Sequence, residues 1–222
     1  MKNYRLLLCG LIATMLAPAS WGTLSVDILD TNIAVGNTGF VDVMISGDPA
    51  DIVQSHQIEL SITPVGGATS SLQFRDPQTS DFRALANFLY SGDSTTGPGI
   101  SGQVLGNSNY FDFDAGLTTG VAPGTGGRLL ARVNLQHAFA GSPSLAIGNQ
   151  FTVNAVFGGL NGTEFFDDTF ANFGVTSADV SAGTVTVTSA IPEPGSMMLF
   201  GLGATAVFVR RIRKRPLKAL AT

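Results

Sequence analysis

The chain has 222 residues, 44% of them hydrophobic and 13% charged, with a formal net charge of −4. Between residues 23 and 190 lie only four basic residues, Arg75, Arg83, Arg128 and Arg132, against fifteen of the sixteen acidic ones, so this stretch carries −11. That excludes nucleic-acid binding by counterion release, and a single cysteine, Cys9, excludes a disulfide framework and a thiolate metal site.

The first 22 residues read as a signal peptide. Lys2 and Arg5 form a positive start, Leu6 to Leu16 an apolar helix, and Ala17-Pro18-Ala19 supplies the small residues of a cleavage site, at Ala17 and Ala19. A second cleavage choice follows Gly22. Cys9 sits inside the apolar run with Leu8 before it, so it is lost on processing rather than lipidated. Residues 23–190 then form one extracytoplasmic domain, long enough for a sizeable core.

Strict alternation recurs along this body. Leu24, Val26 and Ile28 share one face; Val41, Val43 and Ile45 oppose Asp42; Ile58, Leu60 and Ile62 oppose Glu59 and Ser61. The same period returns at Ala131–Leu135, Phe151–Phe157 and Thr184–Thr188, and more weakly at Ser71–Phe74, Gln103–Leu105 and Tyr110–Phe113. A period of two with one apolar face means half-buried strands. Turn clusters such as Val35-Gly36-Asn37-Thr38-Gly39 separate them. The expected fold is all-β, an antiparallel β-sandwich. One short helix interrupts it: Phe82, Leu85, Ala86 and Leu89 recur at helical spacing within Asp81–Tyr90, with Ser80 or Asp81 as cap.

Candidate chemistry is sparse. His56 and His137 stand at strand ends without metal-ligand neighbours, and no Gly-x-Ser-x-Gly elbow occurs. Asp112 and Asp114 share one face of Tyr110–Asp114, and Asp167 and Asp168 follow Phe165-Phe166. Three readings stay open for these four: solvated carboxylates, calcium ligands, or the paired acid and base of a glycan hydrolase acting through residues such as Asp112 or Asp168. No other cofactor is expected. Phe165, Phe166, Phe170 and Phe173 cluster beside the second pair and read as core or as a carbohydrate platform.

Residues 191–222 form a C-terminal tag. Pro192-Glu193-Pro194 opens it, and Pro192 and Pro194 keep the segment extended. Met197 to Val209 is an apolar run of 13 residues, about 20 Å as helix against a hydrocarbon core of about 30 Å. It is a marginal transmembrane helix. Arg210, Arg211, Arg213, Lys214 and Arg215 form the positive stop that stays cytoplasmic and leaves the body outside.

The order of Pro-Glu-Pro, a glycine-interrupted apolar run and Arg210-Arg211 resembles the PEP-CTERM sorting signal of bacterial exported proteins, with a basic tail longer than usual, through Lys218. The resemblance implies an exosortase-type processing enzyme as partner, a membrane contact through residues 197–209 before processing, and a cell-surface or extracellular-matrix destination in cells that make extracellular polysaccharide. The opening of the body is similar to cohesin-like modules at Leu24–Leu29, the turn Val35–Gly39, Phe40–Ser46 and Ile58–Ile62. The segment Asp81–Tyr90 departs from that pattern. Together these imply a non-enzymatic exported sandwich that binds matrix polysaccharide or a surface protein. The alternatives are a hydrolase of extracellular glycans and a cohesin-like docking module.

Overall fold

A computed structural model describes residues 24–68, 72–96, 102–105, 108–137, 145–158 and 161–189. The signal helix, Ala17, Ala19, the Pro192-Glu193-Pro194 motif, the apolar run and the basic stop lie outside the described residues. The chain divides into two units, Met1–Thr188 and Ser189–Thr222, and every described strand belongs to the first.

Twelve strands are described: β1 Ser25–Ile28, β2 Thr31–Ala34, β3 Gly39–Ser46, β4 Ser55–Val65, β5 Leu72–Phe74, β6 Gln103–Val104, β7 Asn109–Ala115, β8 Arg128–His137, β9 Gln150–Ala155, β10 Glu164–Phe166, β11 Val180–Ser181 and β12 Gly183–Thr188. They make two sheets, β11-β1-β3-β8-β5 and β2-β12-β9-β4-β7-β6, with β10 added to the start of β4. The fold is an all-β sandwich.

The alternating pattern explains the layers. Val26, Ile28, Val41, Val43 and Ile45 of the first sheet face Ile58, Leu60, Phe151, Val153, Val185 and Val187 of the second, and all are buried. β8 carries a bulge: Val43 pairs Ala131 but Met44 pairs Leu129, leaving Leu130 as the extra residue. That is why Leu129, Leu130 and Ala131 are buried in succession.

Among the named strands, pairing is antiparallel except at the closure of the sandwich. The first strand crosses from one sheet to the other as β1 then β2, and the last does the same as β11 then β12; each half pairs in parallel with its counterpart. Gly183 permits the crossing. A Cβ there would lie 2.7 Å from both the Cγ2 and the carbonyl oxygen of Ile28.

The stretch Asp81–Tyr90 differs from the expected helix. Only Asp81–Ala84 is helical, as one 3₁₀ turn, and no side-chain cap bond forms at Ser80. Beyond it, Leu129 N–H donates to the Asn87 carbonyl and Leu89 N–H to the Leu129 carbonyl, both at 2.9 Å. Pairing with β8 thus holds Phe88 extended and buries Phe88, Leu89 and Tyr90, leaving Leu85 at the surface. Sheet hydrogen bonds overrode a local helical period too short to stand alone.

Candidate functional site

β7 places its two aspartates inward. Tyr110, Asp112 and Asp114 are buried, while Phe111 is half-buried and Phe113 exposed. The reason is Arg83, which the 3₁₀ turn drives into the same space. Its Nη2 lies 2.6 Å from Asp112 Oδ1 and its Nε 3.1 Å from Asp114 Oδ2, with all three side chains buried. Asp114 also accepts from Ser94 Oγ at 2.5 Å, Thr95 Oγ1 at 3.1 Å, Thr96 N–H at 3.3 Å and Ala115 N–H at 2.7 Å. Burial alone would raise the Asp114 pKa, but these hydrogen bonds hold it below the usual carboxylate range. Burial prevails at Asp112 and raises its pKa against the pull of Arg83. The triad fastens the segment 81–96 to the second sheet.

His56 faces Asp114 in register across β4 and β7. Its ring is fully buried, stacked 5.6 Å from Tyr90 and 6.2 Å from Phe165, and neither ring nitrogen has a hydrogen-bond partner. Burial lowers its pKa to about 4, Asp114 opposing and Arg83 assisting. It is a neutral core aromatic. His137 ends β8, opposite Leu72.

The second aspartate pair lies on a loop after β10. Asp167 Oδ1 accepts from Thr169 N–H at 2.8 Å, Thr169 Oγ1 at 2.7 Å and Ala171 N–H at 2.8 Å. Asp168 is exposed. Among the described residues no three His, Cys, Asp or Glu side chains are grouped to hold a metal ion. The loop that Asp167 closes presents Phe170, which is 74% exposed and has a φ of 62°. A non-glycine residue in that region costs energy and is held there by its surroundings. Of the neighbouring aromatics, Phe165 is core, Phe173 packs against the core, and Phe166 is half-buried.

Register assembles the outward face of the second sheet. Phe113 stands beside Gln57, which stands beside Glu164; one row along, Phe111 lies between Glu59 and Gln103. Gln57 Nε2 donates to Glu164 at 3.1 Å and Asn109 Nδ2 to Glu59 at 3.0 Å. Phe113 is 47% exposed above this polar frame. The first sheet is different outside. Arg132 forms a two-pronged pair with Asp42, at 2.6 and 2.7 Å, and its guanidinium covers Phe40 at 4.2 Å. Gln78 and Thr79 cover Asn134. Arg83 and the open aromatic face are the features the sequence did not disclose. The available signal was a lone arginine within an apolar stretch and a strand whose two faces were Asp and Phe.

Residues 190–214 match the family model described as the PEP-CTERM protein-sorting motif. No curated protein matches the chain. Among solved structures, the sixth cohesin of scaffoldin B from Acetivibrio cellulolyticus, determined in complex with a Cel5 dockerin mutant, is 14% identical. The match covers 74% of this chain and 98% of that one, with a TM-score of 0.50. The seventh ScaB type I cohesin from Pseudobacteroides cellulosolvens is also 14% identical, over 77% and 95%, with a TM-score of 0.50. At that identity the likeness is one of fold. The body is a cohesin-like β-sandwich, and the chain carries a PEP-CTERM sorting motif, the mark of an exported protein made as a membrane-anchored precursor.

Proposed function

We propose that this exported protein is a non-enzymatic docking module of the cell surface or extracellular matrix. In this reading an exosortase-type enzyme removes the tag, and the outward face of the second sheet grips a partner protein. The observation that carries the reading is the aromatic face itself: Phe113 open beside Phe111, with Phe170 displayed on a loop that Asp167 fixes. Rigid exposed aromatics are the anchors on which protein interfaces concentrate their energy. The dockerin bound to the A. cellulolyticus cohesin supports a protein partner, although fold analogy does not transfer function. A hydrolase would need a free pair of carboxylates; Asp112 and Asp114 are engaged with Arg83, and Asp167 with its own loop.

The test is made in the source cell. Protein recovered from the surface and medium is run on a native gel, and its C-terminal peptide is identified by mass. Wild type is expected with a break near Pro192–Gly195 and in a species larger than a monomer. The double variant Phe113→Ser, Phe170→Ser is expected to be cut identically but to migrate as a monomer. Monomeric wild type refutes docking. A C-terminus intact through Thr222 in the membrane fraction refutes processing.

A further inference from the structure

The closure of the sandwich leaves a depression of about 410 Å³ lined by Asp30, Thr31, Asn32, Gln150, Thr184 and Thr186. It lies where β2, β12 and β9 run side by side, away from the aromatic pair on β7. Among the described residues, no apolar side chain and no cation lines it. Asp30 is fixed because its Oδ1 accepts from Thr184 N–H at 2.7 Å. The side chains of Thr31, Asn32, Gln150, Thr184 and Thr186 have no hydrogen-bond partner among the described residues.

From this lining we infer a second binding site, for a neutral, hydroxyl-rich polysaccharide. The argument is one of matching groups. On the outward face two hydroxyls, of Thr184 and Thr186, and two amides, of Asn32 and Gln150, each donate and accept, as sugar hydroxyls do, and the Asp30 carboxylate accepts from a sugar hydroxyl; Thr31, in register with the buried Val185, borders the depression from the other face of its strand. Their spacing is set by the sheet. Asn32, Thr186 and Gln150 form a row across three strands, and Thr184, Thr152 and Thr63 form the next. Neighbours across a row are about 4.8 Å apart and rows about 7 Å apart. A chain of sugar rings laid along the rows meets a polar group at each strand. Charge selects the class of polymer. The body carries −11 and the site holds Asp30 without a basic residue, so an acidic polysaccharide is repelled while a neutral one is not.

The site is independent of the aromatic face, and the test separates them. The full chain, in a polyoxyethylene detergent because sugar detergents would compete, is run on native gels containing dextran, galactomannan, xylan or alginate. Retardation by at least one of the three neutral polymers is expected, and none by alginate. The double variant Thr184→Val, Thr186→Val keeps the shape and strand preference of both residues and is expected to lose retardation at least tenfold. Asn32→Ala should weaken it too. Phe113→Ser, Phe170→Ser should be retarded like wild type, and the valine variant should keep its thermal midpoint. Failure of all three neutral polymers, equal retardation of the valine variant, or retardation by alginate alone overturns the assignment.

Discussion

Between pH 7.5 and 5, acid should destabilise this sandwich mainly through His56; Asp114 and Asp167, whose pKa values are held below the usual carboxylate range, lose their contribution at lower pH. Folded, its ring is buried between Tyr90 and Phe165 and titrates at about 4 rather than 6.5. The unfolded chain therefore takes up a proton between these values and the folded chain does not. Stability contributed by the neutral ring is complete above about pH 6.5 and is lost as pH falls toward 4. At about 1.4 kcal/mol per unit, the loss reaches about 2 kcal/mol by pH 5 and about 3 kcal/mol by pH 4. The charged groups near the ring leave this sign intact, because Asp114 opposes the shift, Arg83 adds to it, and burial outweighs both. The assay is urea unfolding followed by circular dichroism at pH 7.5, 6, 5 and 4. With a slope near 2 kcal/mol per molar, the midpoint should fall by about 1 M between pH 7.5 and 5. His56→Phe keeps an aromatic ring between Tyr90 and Phe165 and removes two unpartnered nitrogens. Its midpoint should stay flat over that range. A variant whose midpoint falls with pH as steeply as wild type would refute the reasoning, since the acid sensitivity would then belong to other groups.

Replacing Arg83 by Met leaves Asp112 and Asp114 buried without their cation and should cost about 3–5 kcal/mol, read by the same unfolding assay. Adding Asp112→Leu and Asp114→Leu should recover part of that loss, because the triple variant buries no unpaired charge. Asp167→Ala removes three acceptor contacts from the Phe170 loop and should cost about 1–2 kcal/mol, with faster amide exchange at Thr169 and Ala171. Phe170→Gly relieves the positive φ and should raise stability by up to about 1 kcal/mol while weakening partner binding. Gly183→Ala places a Cβ against the Ile28 backbone, which cannot turn aside, and should lower the thermal midpoint by several degrees.

How far the sequence revealed this structure depends on which interactions set each part. Strands whose two faces differ sharply, such as Val41-Asp42-Val43 or Ile58-Glu59-Leu60, announce themselves, because burial alone decides their pleat. β2, β10 and β11 do not. They are two to four residues long and exist because a neighbouring strand offers hydrogen bonds. The Asp81–Tyr90 segment misleads for the same reason, its local period outweighed by β8. β7 is the instructive case. Its pattern of Asp and Phe fixes two faces but not which is inside, and a pleat with Phe111 and Phe113 buried reads just as well. Arg83, nearly thirty residues earlier, reverses it by supplying the charge that makes buried aspartates tolerable. A long-range pair of this kind has no local signature.

The scarcity of cations makes ionic strength the sharpest probe of both surfaces. Of the four arginines in the body, Arg83 is consumed inside and Arg132 is clamped to Asp42. The aromatic face is framed by Glu59 and Glu164, so a partner that docks there must bring a positive rim. Its association should then slow as salt rises from 0.05 to 0.5 M, where the screening length drops from about 14 Å to about 4 Å. The aromatic anchors should keep the dissociation rate nearly constant over that change. Binding of a neutral polysaccharide at Thr184 and Thr186 meets no opposing charge and should hold the same gel retardation across the range. A polysaccharide interaction that weakens with salt in parallel with partner docking would mean that one charged surface serves both, and the separation of the two sites would fail.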